Sequence, residues 1–399
     1  MEIPIRIING LYKGNSGIII AFDGEKLVVE FLMLGRNIKA NLRPEDTDIP
    51  EDDLRQIKAV FNETNKISAS PFKPLSTAFG KKIAPAKEIL NQHYPIKLPD
   101  DFYAFYEFWC ELKTNNYYKD FIINISYGIN LYGPFAVLDN PTPEIAKSCY
   151  EEHRFFNDPP EFFNVLTGNT DGLHWGYWVD DPKSSEYCIA SYYHNDAWEI
   201  KIEGFTLFEA FRLELESNIY NYLENIEYNY FPEDMENLKK SVELFKEIRK
   251  LLMKYSTSER LEMGEEYMNK YGSYYISKYA KREITVQTID SMGIVVSKEK
   301  WKDIQYFHSP NEIWDSLKDD EQKLKMLSNQ ALDLAENGYP GAALELGRNI
   351  WIYKNGWDLS LELLDIAYEK LERPELKNVL KYRKKAIEKW RKKHNNDEY

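Results

Sequence analysis

The sequence predicts an α+β protein: a small β-barrel, then an α+β domain built on an antiparallel sheet, then a mainly helical C-terminal domain. Three observations support this. Residues 3–43 alternate apolar and polar side chains around Asp23-Gly24, residues 85–226 mix aromatic helical patterns with short strands, and residues 227–399 follow helical periodicity almost throughout. A chain of 399 residues with 43% hydrophobic content can bury two or three cores, and 15% aromatic content puts large rings in them.

The barrel is expected over 1–48. Gly17-Ile18-Ile19-Ile20-Ala21-Phe22 and Lys26-Leu27-Val28-Val29-Glu30-Phe31 flank the Asp-Gly pair, a strong hairpin signal, and Gly35-Arg36 leads into a further strand. Residues 49–84 turn to proline, serine and charge, the composition of a linker, with one short helix near 51–61.

The α+β domain, 85–226, opens with helical patterns at 85–93 and 100–113. The second has an acidic N-cap candidate in Asp100-Asp101 and a core face of Phe102, Phe105, Tyr106, Phe108, Trp109 and Leu112. Strands follow at Gly128–Pro134, Gly176–Pro182 and Trp198–Ile202, and a helix over 206–224 closes the unit. The remainder, 227–399, reads as helices at 233–254, 257–280, 311–337, 341–354, 357–371 and 374–394, with one β segment at 284–297.

Charge and motif content narrow the function. A net charge of −14 argues against sequence-independent nucleic-acid binding by the whole molecule. Cys110, Cys149 and Cys188 lack metal or disulfide spacing and read as buried thiols. His174 and His194 lack a third ligand, so no metal site is expected. No phosphate loop, zinc helix or nucleophile elbow is present, which speaks against autonomous catalysis. Without an apolar leader or an apolar run of membrane-spanning length, an intracellular, cytoplasmic protein is expected, nuclear if the source is eukaryotic. The Lys, Asn, Ile and Tyr content suggests an AT-rich, bacterial genome. The last helix concentrates Lys377, Lys381, Arg383, Lys384, Lys385, Lys389, Arg391, Lys392 and Lys393. Such a helix is either solvated, its cations suiting the negative end of the dipole, or a contact for RNA, poly(ADP-ribose) or an acidic partner.

Residues 3–43 resemble the KOW module of transcription elongation factors and ribosomal proteins, with a basic-aromatic loop, a glycine before the apolar strand and a later Gly-Arg. That resemblance offers Tyr12, Lys13, Arg36 and Lys39 as an RNA or protein contact; a barrel that merely packs on a neighbour is the other reading.

Three further blocks carry a second resemblance. They are Asn91-Gln92-His93-Tyr94-Pro95-Ile96-Lys97-Leu98-Pro99-Asp100-Asp101-Phe102; Arg154-Phe155-Phe156-Asn157-Asp158-Pro159-Pro160-Glu161-Phe162 with His174-Trp175-Gly176-Tyr177-Trp178-Val179-Asp180-Asp181-Pro182; and Ala335-Glu336-Asn337-Gly338-Tyr339-Pro340-Gly341-Ala342-Ala343-Leu344-Glu345-Leu346-Gly347. Over about 300 residues the chain resembles the histone PARylation factor family, accessory proteins of poly(ADP-ribose) polymerases. The resemblance implies docking beside the active site of an ADP-ribosyltransferase and donation of a catalytic carboxylate, here Glu336. The factor needs no cofactor of its own, because NAD is bound by the partner. A hydroxyl acceptor is a poor nucleophile until a positioned base takes its proton, which is the need a donated glutamate meets.

The same resemblance puts Tyr306, Phe307, Asn337 and Tyr339 at the partner surface. Ala335 stands where the family has an aspartate, and Phe307 where it has an arginine. Glu345, between leucines, reads as structural. Two rival functions stand beside this one: an immunity- or antitoxin-type binding module, since the first block also resembles the SUKH superfamily, and an RNA- or ribosome-associated protein acting through the KOW-like barrel.

Overall fold

The computed structural model describes residues 3–10, 12–22, 26–33, 36–64, 72–115, 128–168, 170–184, 186–195, 199–228, 230, 232–256, 260–273, 276, 282–304, 320–353 and 356–394. The chain divides into two compact units, Met1–Ser68 and Ala69–Tyr399.

The first unit is an antiparallel meander of β1 (Ile3–Arg6), β2 (Ser16–Phe22), β3 (Leu27–Met33) and β4 (Arg36–Leu42), followed by α1 (Glu51–Thr64). The Asp23-Gly24 turn lies outside the described residues, but Phe22 pairs with Leu27 across it, as a hairpin requires. Alternation gives one apolar face, on which Ile3, Ile5, Ile19, Leu27, Val29 and Phe31 are buried, with Leu54 and Ile57 of α1 packed against them. The expected barrel is not seen: the strand order is β1-β2-β3-β4, and no pairing closes β4 onto β1 among the described residues. One amphipathic helix beside a four-stranded sheet offers the apolar face cover without closure.

The second unit holds α2 (Thr77–His93), α3 (Asp100–Thr114), β5 (Asn130–Leu131), α4 (Phe135–Asp139) and α5 (Pro143–Glu151). The strands β6 (Phe162–Thr167), β7 (Leu173–Trp178), β8 (Cys188–Tyr193) and β9 (Lys201–Gly204) follow, then α6 (Leu207–Glu227), α7 (Met235–Tyr255) and α8 (Gly264–Tyr271). The last four helices are α9 (Glu321–Glu336), α10 (Pro340–Asn349), α11 (Trp357–Lys370) and α12 (Pro374–His394). The sheet is antiparallel in the order β5-β6-β7-β8-β9. Both its faces are covered: Phe163, Val165, Trp175, Tyr177 and Ile189 join the large core reaching from Ile83 of α2 to Leu380 of α12, while Phe162, Trp178, Cys188, Ala190 and Tyr192 join a second cluster. This double burial explains why β6 to β8 read as near-continuous apolar runs.

Several local expectations change. α2 begins at Thr77, eight residues before the expected start, because Ser76 caps it by accepting from Phe79 N at 3.3 Å. Asp100 does not cap α3; Pro99 occupies the N-cap, and Asp101 turns inward to accept from Leu207 N at 2.8 Å and Tyr177 Oη at 3.1 Å. The β segment expected over 284–297 reduces to a single bridge between Val286 and Ile294. Within 257–280 the helix whose bounds are described is α8, with Ser273 and Ile276 also helical beyond it, and residues 311–319 of the next expected helix lie outside the described residues.

A buried ionic cluster joins the sheet to the C-terminal helices. The Arg348 guanidinium of α10, 2% exposed, lies 3.3 Å from Glu161 Oε2, contacts Asp290 Oδ2, and sits 4.7 Å over the Trp178 ring. Tyr368 Oη of α11 donates to Glu161 Oε1 at 2.7 Å, and Asp290 Oδ1 accepts from Thr288 Oγ1 at 2.5 Å and Met292 N at 3.1 Å. Replacing Arg348 with Met would leave two buried carboxylates without their cation, so R348M is expected to lower unfolding free energy by about 3–5 kcal/mol in urea denaturation, whereas adding Glu161→Gln recovers part of the loss.

Candidate functional site

Glu336 is the last residue of α9. Asp320 caps the helix, accepting from Lys323 N at 2.9 Å, and the buried stripe Leu324, Leu327, Ala331 and Ala335 fixes which face turns inward. Glu336 falls outside that stripe, and its side chain is 61% exposed. The helix then ends in a Schellman motif: Tyr339 N donates to Leu334 O at 2.9 Å and Gly338 N to Ala335 O at 3.2 Å, with Gly338 at φ +94°. Asn337 Nδ2 donates to Asp333 O at 2.7 Å, and Pro340 opens α10 at its first position, where its missing N–H costs nothing. The sequence Glu-Asn-Gly-Tyr-Pro thus stops one helix and starts the next, with the carboxylate at the tip.

The turn rests on residues 296–302. A side-chain carbon at Gly341 would sit 3.0 Å from Lys300 O, Trp301 Cβ and Val296 Cγ2, tighter than ordinary contact, so glycine eases this close approach of α10. Lys302 Nζ lies 5.2 Å over the half-buried Tyr339 ring. Trp301 Nε1 donates to Glu345 Oε2 at 2.8 Å. Burial pushes the Glu345 carboxyl up to about 7, against the Trp301 hydrogen bond and with help from the Asp303 charge.

Other neighbours of Glu336 had no signal in the sequence. Lys370 Nζ, at the end of α11, lies 2.6 Å from Glu336 Oε2, an ion pair between residues 34 positions apart. The Glu336 carboxylate helps hold the Lys370 ammonium above its ordinary range. Ala335, where the resemblance expects an acid, is fully buried, so that position faces the core; Asp333 is the exposed acid nearby.

The remaining candidates are scattered. Tyr306 and Phe307 lie outside the described residues. In the first unit, Tyr12 packs at 5.1 Å from Phe31 as part of the core, Lys13 is exposed on its turn, and Arg36 and Lys39 sit on β4 opposite Met33 and Glu30. On α12, Arg383 is buried over the Phe156 ring at 3.8 Å, Lys377 pairs with Asp365 at 3.0 Å, and Arg391 pairs with Asp358 at 2.8 Å. These three are therefore committed to the fold, whereas Lys381, Lys384, Lys385, Lys389, Lys392 and Lys393 are exposed.

The second sequence block builds a buried polar centre that sequence reasoning missed. Asp158 Oδ1 lies 2.9 Å from His174 Nε2 and accepts from Tyr192 Oη at 2.5 Å, while Oδ2 accepts from Asn164 Nδ2 at 2.6 Å and Phe155 N at 2.9 Å. Burial works against ionisation, but the adjacent His174 and these donors bring Asp158 below the usual carboxylate range. Phe155 lies between the two histidines, 4.2 Å from the His174 ring and 5.4 Å from that of His194. No group of three metal-ligating side chains occurs among the described residues. The three cysteines are free; Cys149 and Cys188 are buried and Cys110 is partly so. No described helix is long and apolar enough to cross a membrane.

Glu345 yields a pH prediction. Its carboxyl titrates higher in the folded chain than in the unfolded one, so between about pH 4.5 and 7 the folded state binds more protons and stability falls as pH rises. Glu345→Gln removes that slope. Urea unfolding at pH 5 and pH 8 should show a smaller difference for the variant, by roughly 2–3 kcal/mol.

Comparison with known proteins covers most of the second unit. The family model described as Histone PARylation factor 1 matches residues 85–385. Among relatives, Histone PARylation factor 1 of Danio rerio is 24% identical over 362 residues, covering 86% of this chain and 93% of its own length. The Mus musculus protein of the same name is 25% identical over 310 residues, covering 72% and 82%. The Bos taurus protein is 36% identical over 101 residues, 24% of this chain and 28% of its own. All three come from animals, which lends no support to the bacterial source suggested by composition. Since the matched model spans well over half of the sequence and takes in all three blocks, the chain belongs to the histone PARylation factor 1 family.

Proposed function

We propose that this chain is an accessory factor in protein ADP-ribosylation: it binds a poly(ADP-ribose) polymerase-like transferase and lends Glu336 to a shared active site. The relatives are named as factors in PARylation rather than as enzymes, in keeping with a role that depends on a partner. The observation that carries the reading is an exposed carboxylate at the tip of a turn whose backbone is fully specified by the Schellman motif and by the close approach at Gly341.

In the proposed step, NAD is held by the transferase, and nicotinamide leaves as the acceptor hydroxyl oxygen bonds to the ribose carbon. The Glu336 carboxylate takes the hydroxyl proton. Lys370 must release the carboxylate for this to happen, and an exposed ion pair separates at small cost. Asn337 and Tyr339 flank Glu336 and would meet the partner first, with Tyr306 and Phe307 as the further contacts the resemblance implies. The first unit, outside the matched family model, would act separately, through Lys13, Arg36 and Lys39 on RNA or protein.

Co-purification with candidate transferases, followed by modification assays, tests the reading. Glu336→Gln should leave partner binding intact and cut transfer to hydroxyl acceptors by about a hundredfold or more, the usual contribution of a general base. Binding with unchanged rate and acceptor choice in E336Q would overturn the shared-site mechanism.

A further inference from the structure

The outer face of α12 is a field of unpaired cations on an acidic chain. Leu376, Val379, Leu380, Arg383 and Ile387 form the buried stripe of this helix. At 100° per residue, Lys381, Lys385 and Lys392 lie opposite that stripe, with Lys384 on one flank and Lys389 and Lys393 on the other. All six are exposed and none makes an ion pair among the described residues; Lys381 Nζ donates to Asn378 Oδ1 at 2.9 Å. Glu388 is the one acid on this half of the helix. The acids at its borders already have partners: Asp358 holds Arg391 at 2.8 Å, Asp365 holds Lys377 at 3.0 Å, and Glu151 accepts from Tyr382 Oη.

We propose that this face docks double-stranded DNA, holding it by its phosphates and without regard to sequence. The first argument is a cost that a solvated helix has no reason to carry. Lys381, Lys385, Lys389 and Lys393 follow one another at four-residue steps, so three successive like-charge pairs repel along one edge. The helix dipole accounts for cations in the last turn, Lys392 and Lys393, but its influence does not reach Lys381, Lys384 or Lys385. An anionic partner turns that repulsion into attraction. The second argument selects the partner. Single strands and poly(ADP-ribose) present bases, which are held by stacking on aromatic rings, and this face exposes none. Its two rings are half-buried and engaged, Tyr382 with Glu151 and Trp390 at 5.2 Å from Trp357. Lysines alone, as point charges, suit phosphate oxygens rather than base edges. Shape is the third argument. The lysines extend over about 18 Å of helix and point to both sides of a cylinder roughly 10–12 Å across, which matches the two phosphate rows bordering a B-form major groove about 12 Å wide; the narrow A-form groove of duplex RNA does not admit it. The acids elsewhere on the chain are screened beyond about 8 Å at physiological salt, so the net charge of −14 does not cancel the local field.

Fluorescence anisotropy of a labelled 20-base-pair DNA duplex, titrated with the full chain at several salt concentrations, tests the proposal. Saturable binding at low salt is expected, with log K falling against log salt at a slope of roughly −4 to −5 for the four to six phosphates neutralised. The variant K381Q/K385Q/K389Q should bind at least tenfold more weakly, with the slope reduced by roughly 2–3, and should melt no earlier than the parent because the repelling ladder is gone. Lys97, Lys239 and Lys325, exposed elsewhere on the second unit, provide a control of equal charge change, and K97Q/K239Q/K325Q should retain the binding. The slope and the partner preference are read on the unaltered chain, so they decide even if a variant unfolds. No saturable binding, a slope near zero, equal losses in the two triple variants, or tighter binding of duplex RNA, single-stranded DNA, poly(ADP-ribose) or polyglutamate than of the DNA duplex would overturn the assignment.

Discussion

The second unit depends on one buried cation. Arg348 reaches from α10 to Glu161 at the start of β6, to Asp290 in the segment after α8, and across the face of Trp178 in β7. Removing three charges from water costs several kcal/mol per ion, which only close geometry and further hydrogen bonds offset. Those bonds come from Tyr368, Thr288 and the amide of Met292, while Arg282, held by Asp180 at 2.6 Å, lies 5.7 Å from Trp178 as a second cation. Elements distant in sequence are thereby forced into one arrangement, because any other leaves a buried charge unmatched.

That constraint reaches the candidate site through a single short helix. α10 is anchored near its C-terminal end by Arg348 and, just beyond it, by Trp351, whose Nε1 donates to Asn157 O at 3.0 Å. Its N-terminal end carries the turn that follows Glu336, pressed against residues 296–301 at Gly341. Glu336, which ends α9 four residues before this ten-residue helix begins, is thus presented by a turn whose far side is tied to the core. Ser360 Oγ, donating to Gly347 O at 2.7 Å, ties the same helix to α11, the helix that supplies Lys370. The exposed pair at the tip and the buried cluster beneath it thus belong to one rigid assembly, the first free to rearrange and the second not.

The buried acids show how environment assigns charge. Asp101, sequestered against Leu207 N and Tyr177, is pushed up to about 7 by burial, whereas Asp158, equally buried, has His174 beside it and is held low. The sequence presents both simply as an Asp beside a proline-containing turn. On the last helix the same sorting divides the cations: Arg383 is caged by Phe156, Trp351 and Trp357, and Lys377 and Arg391 are paired across to α11, while six of its lysines stay exposed. A count of charges along a helix does not reveal which ones face a partner element.

What the sequence determined by itself was local. Helical periodicity, the Leu-Pro turn and the Glu-Asn-Gly-Tyr-Pro stop-and-start signal fixed most helices and put Glu336 at a helix end, because caps, glycines and prolines act on the backbone within a few residues. Of the central strands only part of β7 was placed, through Gly176–Trp178; β6 and β8 were not singled out. Tertiary structure alone decided the rest: that the first four strands stay open, that Asp101 turns inward, that Ala335 faces the core, and that Lys370 meets Glu336. Each is a contact between residues tens of positions apart, set by which faces pack together, and no local pattern encodes that choice.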